Sequence, residues 1–239
     1  MSTALAQEKE SGGSTTVRMI GLAAATVAAA AYPLFIRRGQ VRWGATEDEV
    51  RGTLPGDDLV KESLCNMTRA ITINAPAAEI WPWLVQMGSE RAGWYSYDRL
   101  DNGGKPSADR IIPDFQHLKV GDSLVPNSNT SDVSYWVVER IDPGRSIVLM
   151  TRVNGSISGE SSWAFVLEPL DNEHTRLIER SRSDFRPHLV GKSMMALFEP
   201  IDFFMMRRHL LNLKELVERH HEPSAFRLEI EQSEIASRA

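Results

Sequence analysis

One stretch near the C-terminus limits the fold more than any other. Phe203, Met206, Leu210, Leu213 and Val217 step by 3, 4, 3 and 4, the spacing that places apolar side chains on one stripe of an α-helix. Phe204 and Leu211 widen the stripe. Pro200 stands where a first helical residue suits proline, and Pro223 is a natural stop, so the pattern predicts a helix over 200–221. A helix with one apolar stripe must lay it on another element. What precedes it is strand-like: 123–125, 134–141, 146–152, 161–168 and 175–183 carry β-branched and aromatic residues between turn signals. Asp142-Pro143-Gly144-Arg145 is one turn, and the six residues from Pro169 to His174 are another. Links this short join antiparallel neighbours.

Upstream, Thr46 and Glu49 have the spacing of a capping box and should open a short helix that Leu54-Pro55-Gly56-Asp57-Asp58 ends. Residues 67–73 close on Ile71-Thr72-Ile73 and read as a strand. Asn74-Ala75-Pro76 then leads into a helix with Ile80, Trp83, Leu84 and Met87 on one side and Pro82 as a fault. The order is strand, helix, several antiparallel strands, long amphipathic helix. This is an α+β class, with a curved antiparallel sheet around the C-terminal helix and room for a cavity between them.

The chain of 239 residues is 42% hydrophobic and 25% charged, enough to bury a core. A net charge of −5 leaves no basic footprint, so no nucleic-acid partner is expected. Cys65 is the single cysteine and excludes an internal disulfide. Residues 1–16 are small and polar and read as a disordered tail, and 223–239 as a flexible acidic one. Between Arg18 and Arg37 lies a run of 18 residues, 19–36, without a charge. As a helix it spans about 27 Å, close to a hydrocarbon core of about 30 Å. It predicts a membrane anchor over 17–38. Two rivals are a cleaved signal peptide with an A-x-A site at Ala28-Ala29-Ala30, and a buried Ala-rich helix. The arginine excess after the run, Arg37, Arg38, Arg42 and Arg51, places the following domain, 42–222, on the cytoplasmic side of the cell membrane as a single-pass protein.

The chain resembles the SRPBCC (START/Bet v1-like, helix-grip) superfamily, in particular bacterial membrane-tethered members of the polyketide cyclase/lipid transport type. The residues that carry this are Arg42-Trp43-Gly44-Ala45-Thr46, Leu54-Pro55-Gly56-Asp57-Asp58, Thr68 to Pro76, Trp81-Pro82-Trp83-Leu84-Val85-Gln86-Met87-Gly88, Gly93-Trp94-Tyr95-Ser96-Tyr97-Asp98, Leu118-Lys119-Val120-Gly121-Asp122 and Ser162-Trp163-Ala164-Phe165-Val166-Leu167-Glu168-Pro169. It covers about 42–221, and Gly103-Gly104-Lys105 departs from it. The resemblance implies a helix-grip fold and an internal cavity for a small hydrophobic molecule, such as a lipid, an isoprenoid or a polyketide-like compound.

The candidate lining follows from residue type. Trp81, Trp83, Trp94, Tyr95 and Tyr97 fall within 17 residues, and each offers a wide apolar face with one polar atom. Trp83, Trp94, Tyr97, Trp136 and Trp163 are the aromatic candidates. Phe203 and Met206 come from a Met- and Phe-rich wall over 194–206 that suits a variable ligand. The strand at 175–183 is charged on both faces, with Arg176, Ile178, Arg180 and Arg182 on one and Leu177, Glu179 and Ser181 on the other. If its arginine row faces inward, Arg180 and Arg182 are polar anchors, with Arg91 a third. The plain alternatives are core for the aromatics and a solvent-facing row for the arginines. Histidine spacing supports no metal site, and no cofactor is expected. Binding is the first expectation. A cyclase/aromatase-like enzyme using Tyr97, Asp98 or Glu179 is the second. An assembly factor for a membrane complex is the third.

Overall fold

The computed structural model describes residues 36–124, 136–153 and 158–221. The two tails and nearly all of the expected 17–38 anchor lie outside these residues. Among the described residues no helix is long and apolar enough to cross a membrane. The chain divides into two units, 1–40 and 41–239. A five-residue helix, α1 (Arg37–Val41), runs across the division.

In the second unit the Thr46 hydroxyl accepts from the Glu49 amide at 3.1 Å. The Glu49 carboxylate accepts from the Thr46 amide at 2.6 Å. This reciprocal pair opens α2 (Glu47–Arg51) as the sequence predicts. Next come β1 (Cys65–Ile73), α3 (Ala77–Val85), α4 (Asp98–Asp101), a 3₁₀ turn (Pro113–Phe115), β2 (Ser123–Leu124), β3 (Trp136–Asp142), β4 (Ser146–Val153), β5 (Ser158–Pro169), β6 (Thr175–Arg186) and α5 (His188–His220). Pro76 is the residue before α3, and Pro82 sits inside that helix without ending it.

The strands form one curved six-stranded sheet in the order β1-β6-β5-β4-β3-β2, each pair antiparallel. Both predicted turns are hairpins: Asp142 pairs with Ser146, and Pro169 with Thr175. The α+β class with its sheet and long final helix is therefore as the sequence indicates. The helix is longer than expected. It begins at His188, twelve residues before Pro200, and Pro200 lies inside it. Proline in a helix removes one main-chain donor. Good helix formers on its N-terminal side, Met194 to Leu197, carry the helix through.

Register decides which residues share a face. Arg69, Glu179 and Phe165 are directly paired across β1, β6 and β5, and so are Ile71, Leu177 and Leu167. This is the inner face. Its apolar members join Ile80, Trp83 and Leu84 of α3 and Leu210, Leu213 and Val217 of α5 in the main core. Of the predicted stripe these three are buried. Met206 is half-buried against the core, and Phe203 is half-buried beneath the Arg69 guanidinium, 5.8 Å from its ring centre.

The outer face is covered too. Residues 43–60 form a strap across it, with Leu54 packing on Ala70, Val166 and Ile178. Gly56 has φ +91° and comes so close to β4 that an added Cβ would sit 2.6 Å from Val148. Glycine alone fits this conformation and this approach. The strap is held by the arginine row. Arg176 donates to Glu49 at 2.6 Å. Arg180 donates to Thr68 Oγ1 at 3.0 Å, to the Gly52 carbonyl at 2.8 Å, to Asp57 at 2.6 Å and to the Glu49 and Val50 carbonyls. Arg182 donates to the Val60 carbonyl at 3.1 Å.

Candidate functional site

Three of the predicted aromatics meet inside the sheet. Trp163 of β5 is the hub. The Trp94 ring stacks on it at 5.6 Å between centres and 25° between planes. Trp136 of β3 lies at 5.6 Å and Phe165 at 4.5 Å. The fourth neighbour is the His209 ring of α5, at 6.2 Å. Offset and edge contacts of this kind add to the burial of large rings.

His209 brings polarity into this nest. It is fully buried, and Nδ1 lies 2.5 Å from the Trp94 carbonyl. Its Nε2 lies 2.9 Å from Glu179 Oε1, and that carboxylate is 3% exposed. A carbonyl and a carboxylate only accept, so both ring nitrogens carry a proton when both contacts are made. Burial by itself pushes the His209 pKa down. The Glu179 charge, foremost, and the Trp94 carbonyl outweigh it, so the net direction is up. The Nε2–Glu179 contact is close in distance but does not have hydrogen-bond geometry, so Nε2 and both carboxylate oxygens keep bonding capacity. Trp94 Nε1 is a further buried donor without an acceptor among the described residues.

Local sequence explains how the pair is positioned. Glu179 alternates with Leu177 on the inward side of β6. His209 lies three residues after Met206 and four before Leu213, next to Leu210, and shares the buried face with Leu213. The segment 94–96 stitches the helix in place. Besides the Trp94–His209 contact, Asn212 donates to the Tyr95 carbonyl at 2.8 Å, Arg208 to the Ser96 carbonyl at 3.2 Å, and Ser96 Oγ to the Met205 carbonyl at 2.9 Å. Tyr95 adopts a left-handed φ of 54°, which is costly for a non-glycine residue. Its hydroxyl accepts from Gln86 at 2.7 Å, and its ring lies 6.0 Å from Trp83 and 6.4 Å from His209. Burial drives the Tyr95 pKa up.

The other sequence candidates sit elsewhere. Trp83 is buried beside Tyr95 and borders an open groove of about 610 Å³ with Pro82, Arg110, Val217 and His220. Tyr97 is 38% exposed under the Arg208 guanidinium. Arg91 donates to the Val85 and Phe115 carbonyls and so ties a loop. The expectation of an inward Arg180 and Arg182 is corrected: both lie on the outer face, consumed by the strap, because the register puts Glu179 inward instead. Asp98 accepts from Ser107 through its amide and its hydroxyl, a loop staple. His209 was missed. The signal was there, since it steps 3 from Met206 and 4 to Leu213 on the predicted buried stripe.

No protein-family model matches the chain, and no curated protein matches it in sequence. Solved structures similar to it include a protein of Mesorhizobium loti, at 16% identity over 66% of this chain and 100% of that one, with a TM-score of 0.41. Another is the Zhui aromatase/cyclase from Streptomyces sp. R1128, at 18% identity over 65% and 94%, with a TM-score of 0.41. A third is DynU16, a putative protein in the dynemicin biosynthetic locus, at 16% identity over 62% and 47%, with a TM-score of 0.39. At such scores none of these bears on what this chain does.

Proposed function

We propose that this domain binds a small, mostly apolar molecule of the lipid, isoprenoid or polyketide-like kind against the rings around Trp163, and that it belongs to the SRPBCC class and is tethered at a membrane through 19–36. The observation that carries the binding reading is the His209–Glu179 pair. It is a buried acid and base set in an aromatic nest, with bonding capacity left over on Nε2, on both carboxylate oxygens and on the nearby Trp94 Nε1. Rings supply contact area, worth about 25 cal/mol per Å² of apolar surface before association costs. The polar atoms fix the orientation of a hydroxyl, carbonyl or carboxylate on the ligand.

Titration of the full chain with farnesol and with emodin, read by tryptophan fluorescence, tests this. Saturable quenching is expected, and Trp163→Ala should weaken it about tenfold or more, the equivalent of about 1.4 kcal/mol. Asp98→Asn, away from the nest, should leave it nearly unchanged. No quenching by either compound, together with nothing co-purifying in native mass spectrometry, would sink the reading.

Catalysis of the cyclase/aromatase kind is the second reading, favoured by the same pair, because an imidazolium beside a carboxylate can move a proton. Glu179→Gln separates the two. Retained binding with lost turnover of a poly-β-ketone thioester favours the enzyme. Altered binding with no turnover in the unaltered protein favours the carrier.

A further inference from the structure

The first half of α5 is built inside out. Along 191, 195, 199, 202 and 206 it faces the sheet, and that line includes two carboxylates, Glu199 at 3% exposure and Asp202, paired with buried Arg69 at 2.7 Å. Glu199 accepts from the Cys65 thiol at 3.1 Å. The opposite side shows Leu189 and Leu197, at 79% and 78% exposure, with Val190, Met194, Phe198, Ile201 and Phe204. Isolated exposed apolar residues are ordinary, but seven on one half-helix are a contiguous patch of the kind that marks an interaction surface.

We infer that this outer face lies on an anionic lipid bilayer. Charge supports that occupant. Between 188 and 208 the exposed ionisable residues are His188, Lys192, Arg207 and Arg208, while both acids are turned under. An apolar helix face rimmed with basic groups and cleared of acids is the pattern of an interfacial helix on an anionic surface. The course of the chain supports it as well. Val41 clusters with Cys65 and Met67, and Met195 of this half-helix packs on that cluster. Only Arg37, Arg38, Gly39 and Gln40 separate Val41 from the uncharged run 19–36. The five residues of α1 rise about 7 Å at 1.5 Å per residue. The chain therefore enters the second unit at a cluster on which this half-helix itself packs. The inference extends the tether in the proposed function but does not need it, because the patch and its charges are features of the second unit alone. Insertion of the face would also set the nest's helix on the membrane surface, where an apolar ligand resides.

The test uses the full chain in vesicles, with an environment-sensitive fluorophore on Leu197→Cys and, as a control, on Leu170→Cys in the β5–β6 turn. Cys65 is buried and reacts slowly. Vesicles of phosphatidylcholine containing phosphatidylglycerol should blue-shift the 197 probe and leave the 170 probe unchanged. Brominated lipid should quench the 197 probe alone, and Lys192→Glu with Phe204→Glu should abolish that quenching. A 197 probe that behaves like the 170 probe overturns the inference. So does a blue shift that lipid bromines do not quench but that rises with protein concentration, which would assign the face to a second copy, or one present before vesicles are added, which would assign it to another segment of the chain. Alkaline extraction of the same vesicles reports on 19–36 separately. Loss of the span with retained quenching at 197 leaves the face on the bilayer, and a retained span without quenching refutes the face alone.

Discussion

The two halves of α5 come from one continuous helix yet obey opposite rules. From His209 to Val217 the buried side is Leu210, Leu213 and Val217, and the charges of Lys214, Glu215 and Arg219 lie on the other sides. This is the arrangement expected of a helix covering a sheet. From Gly191 to Asp202 the buried side holds Glu199 and Asp202 and the outside holds leucine, isoleucine and phenylalanine. The difference arises on the sheet. Beneath the second half lie Leu177, Phe165 and Leu167. Toward the first half β1, β5 and β6 turn in Cys65, Arg69, Ser161 and Ser183, and the two serine hydroxyls bond each other at 2.8 Å. A polar stretch of sheet calls for a polar helix side, and what remains for the outside is apolar. One half of the helix buries its apolar side, and the other buries its acids and leaves its apolar side exposed.

The comparison is most exposed to failure at Arg69. Arg69→Ala leaves Asp202 buried without its cation and should cost about 3–5 kcal/mol at neutral pH. A denaturant midpoint close to that of the unaltered protein would show that the first half does not rest on the sheet. Leu210→Ala, at a site with no exposure, should cost about 2–5 kcal/mol in the same measurement.

A titration sharpens the contrast further. Burial raises the Asp202 pKa, with Glu179 and Glu199 adding to it against Arg69, and burial raises that of Asp101. His209 is raised as well. All three groups hold their protons more tightly folded than unfolded, so the stability they contribute is lost as pH rises. Loss through the two acids begins above their ordinary value of 3.8, and through His209 above 6.5. Thermal midpoints should therefore decline from pH 6.5 upward, and His209→Gln should flatten that part of the curve. A midpoint that climbs over the same range would mean His209 is held neutral. The smallest effect belongs to the outer face: Leu197→Ser, 78% exposed, should change stability by no more than about 0.5 kcal/mol.

Periodicity made the second half of the helix readable, because Leu210, Leu213 and Val217 repeat cleanly and meet an apolar sheet. It failed for the first half. A stripe of Leu, Ile and Phe looks the same whether it faces a core or a solvent boundary, and Pro200 resembled a starting residue. The strands and both hairpins were legible from turn chemistry. The strap over 43–60 was not, since nothing local announces that a loop will cross a sheet. That crossing is also why the sequence left open which face Arg180 and Arg182 occupy and did not show that the outer face is covered. Trp94, Trp136 and Trp163 were readable as a set by residue type. Their gathering around His209 depends on pairings between residues far apart in the chain.

The Arg180 knot has a consequence for how this sequence can change over time. Three of its acceptors, Glu49, Gly52 and Val50, are used through main-chain carbonyls. Any residue offers the same carbonyl. Val50 should therefore drift freely among descendants of this chain, while Glu49 is held by its own carboxylate, which caps α2 and accepts from Arg176; a single insertion or deletion between 49 and 57 would misalign these carbonyls with the one guanidinium. The strap should keep a constant length, and keep Glu49, Gly56 and Asp57, while the lettering between them varies.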